Sequence, residues 1–274
     1  MTRLGYRIGP VPNSLRDPVY RGPLIEATPD EALLRIPGLV SIRVLAGTDL
    51  VVQPADASRD EADWGCLLDG PASALAHLLE GRICLRGAAV SVAGTAVVIV
   101  GDAGKSMLAA ALIAKAAAEP VADGVVPLAP ATLTVLPTGP EVALENDSAL
   151  ALGLAPAGSR ALRPGVTRRV HRFAVRPQSA VPAERLCVIH VDGGLAGTGV
   201  GVELNPLAGT VAFQWALDAV WHRDVAAALG RTPDVFTAVA GLAALPAVRF
   251  RRERSSPVGS IEAVVVAFTD WLRG

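Results

Sequence analysis

The chain is poor in the residues that mark several protein classes. It has three cysteines in 274 residues and a formal net charge of −1. Cys66, Cys84 and Cys187 lie far apart without a C-x-x-C pair, which indicates a reducing compartment and ordinary core packing. No metal-ligand spacing joins them to a histidine. The lack of a basic surplus argues against a nucleic-acid binder that neutralises phosphates without discrimination.

The sequence contains no long apolar run, and we expect no targeting segment. The most helix-like apolar run, 107–118, contains Lys115 and is too short to span a bilayer. Residues 1–12 are polar and interrupted by glycine and proline, which is not the pattern of a signal peptide. We therefore expect a soluble, cytoplasmic protein with no membrane partner.

The composition that is present favours a folded chain. Half of the residues (51 %) are hydrophobic, which excludes a disordered chain, and this length can bury a core without disulfides. Lys105 and Lys115 are the only lysines, and every other basic residue is arginine. A single arginine is therefore weak evidence for a site, and we interpret the arginines between Arg249 and Arg254 as an exposed basic patch.

The chain divides into a β-rich segment and an α/β segment. Residues 40–44 alternate apolar and polar side chains, and 50–52 begin a return strand, so we predict a β-rich domain over 1–75. A polar loop is expected at 55–63 and a short helix at 71–80. Residues 76–274 form the predicted α/β domain. Its later elements are strands at 132–136, 141–144, 166–175, 186–191 and 248–250, a helical turn at 148–152, and helices at 210–221, 233–245 and after Ser260.

The centre of the chain predicts a strand–loop–helix–strand unit. Residues 85–92 and 95–100 are two apolar runs separated by Ala93-Gly94, which indicates a buried hairpin. A glycine-rich turn, a helix over 105–118 and a strand over 121–126 follow. This order predicts a βαβ unit with a right-handed crossover whose strands lie side by side.

The glycine-rich turn has the parts of a phosphate site. The first N–H groups of a helix lack internal partners and attract anions; a lysine there can reach phosphates, and a following hydroxyl can bind Mg²⁺. Lys105 and Ser106 follow a turn formed by Gly101, Asp102, Ala103 and Gly104. That turn is two residues shorter than the usual pattern, and Asp102 adds negative charge. The alternative interpretation is a tight turn beside a surface lysine.

Asp123 is the acid that the predicted unit brings closest to this turn. It could hold Mg²⁺ or accept a proton, or it could only cap a loop at the strand end. Arg168 and Arg169 point to opposite faces of their strand, so at most one faces the site; solvated faces are the alternative. His190, within an apolar strand, is interpreted as a satisfied core histidine.

These segments resemble the HPr kinase/phosphorylase-like family of P-loop proteins, especially its shorter serine-kinase-like relatives. Residues 67–70 and 81–90 are similar to the family's lead-in to the P-loop, 97–112 to its P-loop strand and helix, and 121–123 to the acidic strand that follows. Three later segments, 135–137, 152–154 and 164–169, follow the family's order more weakly.

The resemblance implies a P-loop core sheet flanked by helices, with a small β-rich N-terminal segment. It implies ATP and Mg²⁺ as cofactors and phosphoryl transfer to a serine of a peptide or protein, including precursors of ribosomally made natural products. Lys105 and the 101–104 loop would bind phosphate, Ser106 would hold the metal, and Asp123 would be either the base or a second metal ligand. Relatives form homo-oligomers.

The departures from the family pattern fall on the site itself. Arg86 stands where the family has histidine, Gly124 replaces a second aspartate, and the loop is short. Arg86 could supply positive charge to a phosphate. Two hypotheses follow: an ATP-dependent serine-kinase-like enzyme, or a degenerate kinase-like module that binds a peptide or protein without turnover.

Overall fold

The computed structural model describes residues 5–46, 49–56, 58–155, 157–174, 179–192, 203–253 and 261–273. The strands are β1 (Tyr6–Ile8), β2 (Tyr20–Arg21), β3 (Ile25–Ala27), β4 (Glu31–Ile36), β5 (Val40–Leu45), β6 (Leu50–Pro54), β7 (Ile83–Val92), β8 (Thr95–Gly101), β9 (Glu119–Ala129), β10 (Thr134–Val135), β11 (Glu141–Glu145), β12 (Arg160–Ala161), β13 (Arg168–Arg172), β14 (Val181–Asp192), β15 (Glu203–Leu207) and β16 (Ala247–Glu253). The helices are α1 (Glu61–Leu67), α2 (Ser73–Leu79), α3 (Lys105–Lys115), α4 (Asn146–Ala151), α5 (Gly209–Asp218), α6 (Arg223–Ala228), α7 (Thr232–Ala244) and α8 (Ile261–Arg273). A π-helical segment, Leu68–Ala72, joins α1 to α2.

The N-terminal strands form a six-stranded sheet in the order β1-β6-β5-β4-β3-β2. The predicted hairpin at 40–52 is confirmed, since alternate side chains of β5 are buried and β5 pairs antiparallel with β6. The loop predicted at 55–63 is wrong at its end, because α1 begins at Glu61. The Asp60 side chain accepts from the Ala62 N–H, and Asp63 accepts from the Asp60 N–H. This reciprocal cap starts a helix within a polar stretch.

The large sheet has the order β10-β9-β7-β8-β14-β16-β15. The predicted hairpin is confirmed as β7 and β8, paired antiparallel. The expectation that the two strands of the βαβ unit are neighbours is wrong. β9 pairs antiparallel with β7, so β7 lies between β8 and β9, which run parallel to each other. β8, the hairpin partner, pairs with one edge of β7, and β9 pairs with the other edge.

Two layers of helices cover this sheet, which makes the protein a mixed α/β structure. Apolar side chains of β7 and β8 alternate between two clusters. Ala88 and Ile99 share a cluster with Leu108 of α3 and Phe268 of α8. The other face packs against α2, α5 and α7, and this second cluster also includes side chains of the N-terminal sheet. The domain boundary at 75/76 stays a prediction.

A three-stranded antiparallel sheet, β11-β13-β12, completes the architecture that positions the site. α3 ends at Lys115, three residues earlier than predicted, because Ala117 takes a left-handed conformation (φ +53°) and Pro120 follows. Arg249 is half-buried, which corrects the patch of exposed arginines at that residue. Arg254, the side chains of Arg251 and Arg252, and the Ser260 cap lie outside the described parts. Among the described helices, none is both long and apolar enough to cross a membrane.

Candidate functional site

The turn between β8 and α3 is held tightly against β14. Gly101 has φ +102° and Gly104 has φ +109°, a backbone region that favours glycine. A Cβ atom on Gly101 would lie 2.2 Å from the Ile189 carbonyl oxygen. The Asp102 N–H donates to that same oxygen at 2.9 Å. Gly101 therefore permits a close approach of two backbones, and one amide of the turn is already used.

Lys105 folds back over this turn. Its Nζ donates to the carbonyl oxygens of Gly101 at 2.7 Å and Asp102 at 2.8 Å. The side chain is half-buried. Burial lowers the pKa of Lys105, while the charges of Asp102 and Asp123 act in the opposite direction. An ammonium has three N–H donors, so two loop carbonyls position the group and leave one donor for a ligand.

Ser106 and Asp123 lie in direct contact. The Ser106 hydroxyl donates to Asp123 Oδ1 at 2.7 Å, and the Ala143 N–H of β11 donates to Oδ2 at 3.0 Å. Burial raises the pKa of Asp123 against the lowering effect of these hydrogen bonds. The acid therefore comes to the start of α3, as predicted, although β7 separates its strand from β8.

A cavity of about 410 Å³ opens beside this pair. Its wall includes Ser106 and Asp123 together with residues of the π-helical segment, α2, β11 and β13. Within the described ranges, residues 101–105 of the turn do not line it. The cavity thus lies on the Ser106–Asp123 side of the turn.

The predicted arginines divide between three places. Arg168 lines the cavity, donates to the Ala143 carbonyl oxygen at 2.9 Å, and opposes the rise in the Asp123 pKa. Arg169 faces away and donates twice to Ser159, to its hydroxyl and its carbonyl oxygen, both at 2.6 Å. Arg86 is exposed; it donates to the Asp218 carbonyl oxygen at 3.1 Å and lies over the Trp221 ring.

Sequence reasoning missed several residues of the cavity wall. Arg160 ties two of its sides together, since it contacts Asp69 at 3.3 Å and Glu141 at 3.0 Å. Ser73 and His77 line another side. Their spacing of four residues within a predicted helix was a usable signal, because such residues share a helix face. The Arg160 contacts join residues 91 and 19 positions apart, which no local pattern reveals.

His190 stands at the edge of the turn. Its Nδ1 lies 3.4 Å from Asp102 Oδ2, and its ring packs edge-on against Trp215. The side chain is 35 % exposed, so the expectation of a core histidine is wrong. His190 therefore lies between Asp102 of the turn and Trp215 of α5.

Comparisons with known proteins give no further guide. No family model matches the chain, and a search of curated proteins finds no significant match. The described residues also contain no group of three or more histidine, cysteine, aspartate or glutamate side chains that could hold a metal ion. Arguments about function therefore rest on the motifs and on the geometry above.

Proposed function

We propose that the chain is an HPr-kinase-like phosphotransferase that moves a phosphoryl group from ATP to a serine hydroxyl of a peptide or protein. One observation carries the proposal. At the start of α3 the Ser106 hydroxyl and the Asp123 carboxylate are hydrogen-bonded beside a cavity, and the Lys105 ammonium lies close enough for the Asp123 charge to act on its pKa. An anion-binding helix start, a cation and a paired carboxylate are the parts that phosphoryl transfer needs.

Lys105 and the first turn of α3 would bind the phosphates. The two carbonyls that hold Nζ keep its charge at the N-terminal end of the helix, where the helix dipole is also positive. Its remaining N–H is available to a phosphate oxygen. Arg168 adds a second positive charge beside Asp123.

Ser106 and Asp123 fit a magnesium ion. Mg²⁺ binds few protein oxygens and completes its coordination with water and phosphate, so one hydroxyl and one carboxylate suffice. The carboxylate accepts from Ser106, from the Ala143 N–H and from the Gly124 N–H, and its two oxygens can accept about four bonds in all. Bound there, the ion would neutralise charge that develops on the phosphoryl group.

Asp123 would accept the proton of the attacking serine. The serine oxygen forms a bond to the γ-phosphorus, the bond from that phosphorus to the bridging oxygen breaks, and ADP leaves. The hydroxyl proton passes to the carboxylate. Without a bound ion, burial raises the pKa of Asp123, which makes it a stronger base than an exposed aspartate. A cation on the same carboxylate would act in the opposite direction, so the base role and the metal role of Asp123 are alternatives.

Titration with Mg-ATP, followed by a transfer assay with labelled ATP, tests the proposal. We expect Lys105→Ala to weaken ATP binding at least tenfold, since a charged hydrogen bond contributes about 1.5–3 kcal/mol. Lys115→Ala is the matched control, because Lys115 is exposed at the opposite end of α3. We expect Asp123→Asn to retain ATP but to lose transfer. Absence of ATP binding, or equal binding by both lysine variants, would contradict the proposal.

A binding module without turnover is the second candidate. The turn is two residues short, and the Asp102 N–H is already bonded to Ile189, so fewer amides are free for a triphosphate. Gly124 also leaves Asp123 without an adjacent acid. This candidate predicts that wild type transfers no phosphate to any partner it binds. Transfer that Asp123→Asn abolishes would eliminate it.

A further inference from the structure

Helix α2 presents two polar side chains to the cavity. Ser73 and His77 are four residues apart, so they lie on one face of the helix, and both line the cavity. Ser73 is 7 % exposed and His77 is 2 % exposed. Two largely buried polar side chains therefore line the same cavity as Asp123.

The neighbour of His77 fixes where its proton lies. Arg82 Nη1 lies 2.9 Å from His77 Nδ1. A guanidinium only donates hydrogen bonds, so Nδ1 must be the acceptor and Nε2 carries the proton. The Arg82 guanidinium also pairs with Glu80, and the Arg82 backbone N–H donates to the His77 carbonyl oxygen. Burial, followed by the charge of Arg82, lowers the pKa of His77 to about 4, so the ring is neutral at physiological pH.

The Nε2–H group of His77 has no acceptor among the described residues. Nε2 is not among the buried side-chain nitrogens without a partner in the described residues, so it is open to the cavity that His77 lines. A ligand in the cavity can therefore accept a hydrogen bond from this donor in place of water.

We propose that His77 and Ser73 bind a main-chain amide of the acceptor peptide and so hold its serine next to Asp123. This rests on the proposed function. The cavity is bounded by Ser106 and Asp123 but not by the turn at 101–105, so it suits the acceptor better than the phosphates. A neutral N–H donor matches a peptide carbonyl, and the Ser73 hydroxyl can accept the N–H of the same segment.

The test uses a pool of capped five-residue peptides with serine at the centre. The full-length protein carries ¹⁵N-histidine, and the Nε2–H signal of His77 is followed by NMR as the pool is added. In parallel, transfer of labelled phosphate from Mg-ATP to the pool is measured. His77→Phe keeps the ring size and removes the donor. His171→Phe is the matched control, because His171 is 6 % exposed and lines a different cavity.

We expect the pool to shift the His77 signal. His77→Phe should raise KM for the pool about tenfold, with kcat within about twofold and ATP affinity unchanged, as for loss of one hydrogen bond to substrate. His171→Phe should leave both constants unchanged. An unshifted His77 signal, or an unchanged KM in a folded His77→Phe protein, overturns the inference. A shifted signal without ATP binding overturns the proposed function and with it the acceptor role, whereas ATP binding with an unshifted signal overturns this inference alone.

Discussion

Replacing Gly101 by alanine is expected to destabilise the protein strongly. The new Cβ would lie 2.2 Å from the Ile189 carbonyl oxygen and 2.9 Å from its nitrogen, on a backbone with φ +102°. A left-handed conformation costs a residue with a Cβ about 1–2 kcal/mol, and overpacking costs typically about 1–3 kcal/mol. We therefore expect Gly101→Ala to lower the free energy of unfolding by about 2–5 kcal/mol.

Gly124→Ala separates the two contributions. Gly124 has φ +78°, and a Cβ there would meet no atom within 4 Å, so only the cost of the backbone conformation applies. The assay is urea unfolding followed by the fluorescence of the four tryptophans, with equal slopes required for the comparison. Gly101→Ala should be less stable than Gly124→Ala by about 1–3 kcal/mol. Equal losses in the two variants would refute the close approach of β8 to β14.

Three further predictions concern charge. The pKa of His77 is lowered from 6.5 to about 4, so the neutral ring stabilises the fold fully above pH 6.5, and this stabilisation is lost as the pH falls to 4. At 1.36 kcal/mol per unit the loss is about 3 kcal/mol. Urea unfolding of His77→Phe should not show this loss. The pKa of Asp123 is raised above 3.8, so its pH dependence has the opposite sign: the free energy of unfolding declines as the pH rises through the raised pKa. Asp123→Asn should remove this decline. A pH profile of stability that the substitution leaves unchanged would refute the raised pKa. Arg168→Ala should weaken Mg-ATP binding about tenfold, because the charge of Arg168 acts on both Lys105 and Asp123. Arg169→Ala should lower stability without changing ATP affinity, and calorimetry on both variants checks the difference.

The local features of the fold were predictable from sequence, and the long-range pairings were not. The β7–β8 hairpin and the start of α3 were predicted from apolar runs and glycine-containing turns that lie within 25 residues of one another. The pairing of β9 with β7 joins residues up to 45 positions apart, and its alternative, β8, has similar apolar character. α1 was missed because its helix signal is the Asp60 cap rather than an apolar period.

The candidate site divides in the same way. Lys105, Ser106 and Asp123 are close in sequence, and the strand–loop–helix–strand order predicted that Asp123 approaches the start of α3, although the expected pairing of β8 with β9 was wrong. The opposite directions of Arg168 and Arg169 followed from strand periodicity. The cavity was not predictable, because its wall combines α2, β11 and β13, whose packing depends on contacts across the whole chain.

Because β7 lies between β8 and β9, the spacing of three strands sets the distance between the start of α3 and Asp123. Adjacent strands lie about 4.8 Å apart, so α3 must reach across two strand spacings for Ser106 to touch Asp123. In β7, Ala88 lies opposite Ile99 of β8 on one side and Asp123 of β9 on the other, and it belongs to the same buried cluster as Leu108 of α3. A bulkier side chain at this position would lift the helix from the sheet and pull hydroxyl and carboxylate apart. We therefore expect the small side chain of Ala88 to keep α3 close enough to the sheet for Ser106 to reach Asp123.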